Sequence, residues 1–333
     1  MNIENTEEFI SYLLSKNIIG EEETVQIIRL KGGVSNRTLK VDFGIQSWVV
    51  KQALNKLRVS GDWFSAPERI FHEAATMRWL HQYLPGTSPE LIFEDQANYL
   101  LAMQAIATPF INLKSHLLTE QPELIFLQQA GTMLGRIHQL GKDAQQLPEL
   151  LLNTNFFNSL RVRPYYQQVI RTIPKTEAFF KRLIEETRIH GYTLTHGDFS
   201  PKNLLVKDEQ LILLDHEVAH YGDGTFDLGF FITHLLAKSL YRPELRDLFY
   251  QGIERFVVAY KEKTHLDGPK EQRAVEHTIG CLLARVSGLS PLEYLDPAQQ
   301  RSQKLVALKL LEHPPKHLNE LTSAFKSNIN YQN

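Results

Sequence analysis

Two stretches of this chain carry residue types that can do chemistry at a useful spacing. His216, Glu217, Val218, Ala219 and His220 spell H-E-x-x-H, the pattern in which two histidines one helical turn apart bind zinc and the glutamate between them activates water. The other stretch holds Asp198, Asn203 and Asp215, a carboxylate, then an amide, then a second carboxylate. A loop that presents a base and then turns back can place the amide oxygen and the second carboxylate on one metal ion, which bridges nucleotide phosphates and offsets their charge.

The elements that must position these residues separate the two readings. Residues 192–217, "YTLTHGDFSPKNLLVKDEQLILLDHE", read as a β-type island in which "NLLV" and "LILLD" flank "KDEQ" as a hairpin,. His216 then follows a strand directly, whereas the zinc pattern needs one continuous helix through both histidines. Tyr221-Gly222-Asp223-Gly224 comes next, and two glycines so close together break a helix at His220. The extended zinc pattern fails as well, with Asp223 at its glycine position and Phe226 at its histidine position,. His216 and His220 are expected to be structural, and a zinc hydrolase stays only as a remote alternative.

Further out, the texture of the chain changes near residue 105. "VQIIRL" (25–30), "TLKVDF" (38–43) and "WVVKQA" (48–53) read as three successive antiparallel strands,. In "ERIFHEAATMRWLHQYL" (68–84), Ile70, Ala74, Met77 and Leu84 share a face at helical spacing, behind Pro67,. "ELIFED" and "YLLAMQAI" (99–106) add two strands. Beyond them the pattern is mostly helical, over 126–141, 177–191, a long region from 225 to 263, and 273–288. The expectation is an α+β chain with a strand-rich lobe over 1–105 and a helix-rich lobe over 106–333.

Composition bounds the function. The chain has 333 residues, 43% hydrophobic and 22% charged, enough for one large core or two smaller ones. A net charge of −2 argues against a strongly basic nucleic-acid binder,. Cys281 is the single cysteine, so neither a disulfide framework nor a cysteine zinc cluster is available. The opening "MNIENTEEFISYLL" has acids where a signal peptide has positive charge, and no run of about 18 apolar residues occurs,. These features point to a cytoplasmic protein with no membrane or nucleic-acid partner; its oligomeric state is not legible.

"HGDFSPKN" followed by "LLDHE" resembles the catalytic segment of the aminoglycoside phosphotransferase and choline kinase family, whose members carry H-G-D-x-x-x-x-N and then D-x-E or D-x-D. Within that group the D-x-E and the layout are similar to methylthioribose kinases. The resemblance implies a protein-kinase-like fold of two lobes, residues 1–105 binding nucleotide and residues 106–333 carrying catalysis and the acceptor. It implies that Asp198 orients the acceptor hydroxyl, that Asn203, Asp215 and Glu217 face magnesium, and that His196 and Asp227 support the catalytic loop. It also implies that Lys51 in "WVVK" reaches the phosphates and pairs with Glu73, that Gly32 and Gly33 in "KGGVSNRTLKV" lie in the phosphate-covering loop, and that the backbone from Gln104 to Ile106 meets adenine. "LGRIHQL" (134–140) resembles the family's helix before the catalytic loop.

The acceptor is less legible. Asp223 and Arg285 are expected to line its pocket, with Glu293 nearby. The acids stand singly, whereas a cationic acceptor wants a cluster of carboxylates. Arg285 has apolar neighbours, where an unpaired charge is costly to bury. The activity expected is an ATP- and magnesium-dependent transfer of a phosphoryl group to a hydroxyl of a small molecule of the amino sugar, sugar or amino alcohol type. A non-catalytic nucleotide-binding module is the alternative, disfavoured because Lys51, Asp198, Asn203 and Asp215 are all present.

Overall fold

The apolar and polar alternation of the first third becomes a five-stranded antiparallel sheet: β1 Val25–Arg29, β2 Asn36–Phe43, β3 Gln46–Ala53, β4 Leu91–Asp95 and β5 Leu100–Gln104. Their order is β1-β2-β3-β5-β4. The computed structural model describes residues 1–30, 33–59, 61–208 and 210–330. They fall into two units, Met1–Thr108 and Pro109–Asn333.

In the first unit the pleat sends alternate side chains to opposite faces. Leu39, Val41, Phe43, Trp48 and Val50 pack on Ile3, Phe9, Leu13 and Ile19, around a helix, Thr6–Ser15, that the strand pattern gave no reason to expect. Its start is capped by the Asn5 side chain, which accepts the Glu8 N–H at 3.3 Å,. The opposite face puts Ala53, Leu101 and Met103 against Ile70, Ala74 and Met77 of the Arg69–Tyr83 helix.

The second unit is mainly helical. The Leu124–Leu140 and Arg246–Lys263 helices meet backbone to backbone, and a methyl group at Gly131 would stand 2.1 Å from the Phe256 carbonyl oxygen. The expected run from 225 to 263 is two helices, Thr225–Tyr241 and Arg246–Lys263, parted at Pro243, whose ring and missing N–H end a helix,. Gly268–Ser287, Pro297–Glu312 and Leu318–Asn330 follow. Asn158–Gln167 forms wide π-type turns around Pro164, a rare geometry that frequently occurs at functional sites. Two small sheets complete the unit: β6 Ile111–Asn112 with β8 Leu204–Lys207 and β9 Gln210–Leu213, and β7 Thr193–Thr195 with β10 His220–Gly222. Among the described residues no helix is long and apolar enough to cross a membrane.

Candidate active site

In the first unit Lys51 shares a face of β3 with Val49 and Ala53, toward the Arg69–Tyr83 helix. Its Nζ meets Oε1 of Glu73 at 2.7 Å, with the lysine side chain 12% exposed and the glutamate fully buried. Gln104 ends β5, its N–H donating to the Glu90 carbonyl at 2.8 Å, and the Ala105 N–H donates to Ser47 at 2.9 Å. Ile106 follows, half-buried. A methyl group at Gly33 would meet nothing nearer than Thr38 Oγ1 at 4.0 Å, so the backbone there is open to a ligand. Gly32 lies outside the described residues.

In the second unit the H-G-D turn follows β7 and is held from below by one buried acid. Asp227, in the first turn of the Thr225–Tyr241 helix, accepts the His196 N–H at 2.6 Å and the Gly197 N–H at 2.8 Å. Its Oδ2 also meets His138 Nε2 at 3.3 Å, and His138 Nδ1 meets the Tyr260 hydroxyl at 2.9 Å. Burial alone would raise the Asp227 carboxyl, but the hydrogen bond and charge of His138, and the contacts of His196, hold it below the usual value,. Gly197 has φ +72°, and a methyl group there would stand 2.7 Å from the Val218 side chain and 3.1 Å from its carbonyl oxygen. Glycine is the residue that fits, on both conformation and space.

The turn presents Asp198, whose side chain is 14% exposed. Its Oδ1 meets Arg161 Nη2 at 2.7 Å and its Oδ2 accepts from Asn203 Nδ2 at 2.8 Å. Arg161 also donates from Nε to the Gly197 carbonyl at 2.6 Å, so one guanidinium grips both the acid and the turn that carries it. Burial opposes its charge, but Asp198, then Tyr165, Glu217 and Asp215, hold its pKa above the ordinary value. His196 is kept below its ordinary pKa chiefly by burial, against the pull of Asp227, Asp198 and Asp215. Its Nδ1 accepts the Asp198 N–H at 3.2 Å, as a neutral imidazole can,.

Asn203 ends the Pro201–Asn203 turn just before β8, and its carbonyl accepts the Leu214 N–H at 2.9 Å. That bond brings Asp215 alongside Asn203. Asp215 has φ +66°, a left-handed backbone uncommon outside glycine and concentrated at functional sites. Because the Asn203 amide nitrogen donates to the Asp198 backbone and side chain, its oxygen is the atom turned to other partners. An amide oxygen with the carboxylates of Asp215 and Glu217 is a hard oxygen set suited to magnesium shared with phosphates, with fewer protein ligands than a dedicated metal cage. No three His, Cys, Asp or Glu side chains among the described residues converge as a metal cluster.

The H-E-x-x-H stretch is no helix. Glu217 and Val218 form a turn, the Ala219 N–H donates to the His216 carbonyl at 3.0 Å, and His220 opens β10. The His216 ring stacks edge-on to His196 at 5.1 Å, while His220 packs on Phe157 at 4.6 Å and its Nδ1 meets the Val218 carbonyl at 3.0 Å. The zinc geometry is absent for the reason the following glycines suggested.

Asp223 requires a correction. It is 1% exposed, pairs with Arg273 at 2.8 Å and accepts from the Thr225 N–H at 3.1 Å and hydroxyl at 2.7 Å. It is a buried ion-pair partner braced on the first residue of the Thr225–Tyr241 helix. Arg285 makes no ion pair among the described residues; its Nη1 donates to the Tyr165 hydroxyl at 3.1 Å and to Ser290 Oγ at 2.8 Å. Glu293 pairs with Lys114. Arg161 was missed by motif reading. The one signal it gave was a charge set among Leu160, Val162, Tyr165 and Tyr166, all of which are buried.

Comparisons with known proteins agree with this arrangement. The family model described as "Phosphotransferase enzyme family" matches residues 26–273. The methylthioribose kinase of Geobacillus thermodenitrificans is 22% identical over 328 residues, covering 79% of this chain and 78% of that protein. The 4-hydroxytryptamine kinase of Psilocybe cubensis is 23% identical over 289 residues, covering 75% and 80%. Among solved structures, a choline/ethanolamine kinase family protein from Mesorhizobium loti superposes with a TM-score of 0.57 at 18% identity, covering 98% of this chain and 99% of that one. The amicoumacin kinase hAmiN, in complex with AMP-PNP, Ca2+ and Ami, superposes with a TM-score of 0.59 at 14% identity, covering 97% and 99%. The fold is the kinase-like fold of these proteins, and with its model matching most of the chain, the protein belongs to the phosphotransferase enzyme family and is a small-molecule kinase.

Proposed function

We propose that the protein transfers the γ-phosphoryl group of ATP to a hydroxyl of a small molecule, with magnesium. The observation that carries this reading is the grip on Asp198, an acid held by Arg161 on one oxygen and Asn203 on the other, on a turn fixed by Asp227. A carboxylate so restrained keeps the acceptor hydroxyl in line and takes its proton as the new bond to phosphorus forms. Alignment of this kind can be worth roughly 7–11 kcal/mol of barrier, whereas the base itself adds about 10²–10⁴-fold.

Lys51, set by Glu73, takes the nucleotide phosphates, the open backbone at Gly33 covers them, and backbone groups from Gln104 to Ile106 meet adenine. Asn203, Asp215 and Glu217 would hold magnesium, whose charge offsets that of the phosphates. Residues 1–105 thus serve the nucleotide, and residues 106–333 serve catalysis and the acceptor. Support comes from the names of the relatives, methylthioribose kinase and 4-hydroxytryptamine kinase, and from the AMP-PNP bound in the amicoumacin kinase.

The test is phosphorus NMR of the protein with ATP, magnesium and a panel of sugars, amino sugars and amino alcohols. Asp198→Asn should keep nucleotide binding near normal and lose about 10²-fold or more in turnover. Near-wild-type turnover in that variant would remove Asp198 from its role.

A further inference from the structure

Beside Tyr165 the second unit holds a half-buried guanidinium and a buried ammonium that make no ion pair with a carboxylate among the described residues. Two guanidinium groups lie against the Tyr165 ring, Arg161 at 5.6 Å and Arg285 at 5.8 Å from its centroid. Arg161 serves Asp198. The Arg285 guanidinium donates to two hydroxyls, and its buried Nε has no hydrogen-bond partner among the described residues. Lys238, fully buried in the Thr225–Tyr241 helix, makes one long hydrogen bond of 3.5 Å to the His234 carbonyl and lies 5.2 Å from the Tyr294 ring centroid. The Tyr294 hydroxyl is buried and has no hydrogen-bond partner among the described residues. Neither Arg285 nor Lys238 makes an ion pair among the described residues; the one acid close by, Glu293, is paired with Lys114.

With Glu293 engaged by Lys114, two cations that lack an ion pair of their own beside an idle hydroxyl are costly to enclose unless something anionic completes them,. Their donors, a guanidinium fork, an ammonium and a phenol, are those that recognise carboxylate and phosphate. Both arginines lie against one tyrosine, so the anion's place neighbours the residue that grips Asp198. We propose that Arg285, Lys238 and the Tyr294 hydroxyl form a subsite for an anionic group, carboxylate or phosphate, carried by the same acceptor whose hydroxyl Asp198 orients. The proposal rests on the phosphotransferase reading above and departs from an amino-sugar acceptor, which this charge would repel.

Calorimetric titration of the full chain with inorganic phosphate and with malonate, without nucleotide, tests the subsite directly. Saturable binding is expected in wild type, weakened about tenfold or more in Arg285→Gln and in Lys238→Met, and retained in Asp215→Asn, which alters the proposed magnesium site. Preference for phosphate over malonate, or the reverse, identifies the anion. Binding that is absent, unchanged in both well-folded basic-site variants, or lost equally in Asp215→Asn would overturn the proposal. ATP–magnesium titration of the same wild-type sample keeps the two readings apart. Anion binding without ATP binding would sink the kinase activity and leave the subsite standing. Transfer to a neutral acceptor with an unchanged KM in Arg285→Gln would sink the subsite and leave the kinase.

Discussion

The guanidinium of Arg161 reaches Asp198 Oδ1 at 2.7 Å while its Nε reaches the Gly197 carbonyl at 2.6 Å. One side chain from the π-type turns thus fixes both the acid and the backbone behind it. Arg161→Gln should lower kcat by about 10²-fold through misplacement of Asp198, with the KM for ATP little changed. Arg161→Lys should recover only part, because an ammonium cannot make both bonds of the fork. Steady-state kinetics with both substrates varied would check this; equal losses in both variants, with the KM for ATP rising, would point to general unfolding.

Gly197→Ala tests the turn itself. The positive φ alone costs roughly 1–3 kcal/mol, and the new methyl would also press on Val218 at 2.7 Å. Urea unfolding should show a loss at or above that range. A variant as stable as wild type would mean the turn relaxes.

Lys51 and Glu73 make a buried pair whose halves should not be removed singly. Lys51→Met removes the ammonium at 2.7 Å from a buried carboxylate and should be destabilising, whereas adding Glu73→Gln should return part of the stability,. ATP affinity should be weakened in both, since the phosphate contact is gone either way. Calorimetry of unfolding and of ATP binding on the two proteins separates these effects, and recovery of ATP affinity in the double variant would rule Lys51 out of the nucleotide site.

Lys238 gives a dependence on pH. Burial, then Lys114 and Arg285, push it from 10.5 down to about 7. Between those values the unfolded chain binds a proton that the folded chain does not, so this lysine makes stability rise with pH, by up to about 1.4 kcal/mol per pH unit. Below 7 both states are protonated and the full penalty stands. Lys238→Met should therefore be more stable than wild type near neutral pH, and the gap should close as pH rises toward 10.5. A gap that does not change with pH would show the lysine is not the cause.

The strands and the hairpin were legible because their residues alternate or cluster over short lengths, and the motif order put Asp198 and Asn203 ahead of that hairpin and Asp215 at its end. The Thr6–Ser15 helix had its capping asparagine and first-turn acids in plain view, but those acids were weighed only against a signal peptide. What could not be read is what depends on distant packing. Arg161 lies 37 residues before Asp198 in a segment without regular period, and Asp223 looked like a pocket acid because Arg273, its partner, stands on another helix.

The hold of Asp227 on the His196 and Gly197 amides has a consequence for hydrogen exchange. Loop amides ordinarily exchange through small local openings. These two are bonded to a fully buried carboxylate that is itself tied through His138 and Tyr260 to helices interlocked at Gly131. Releasing them requires that helix pair to part, so both amides should exchange as slowly as the helical core of the second unit.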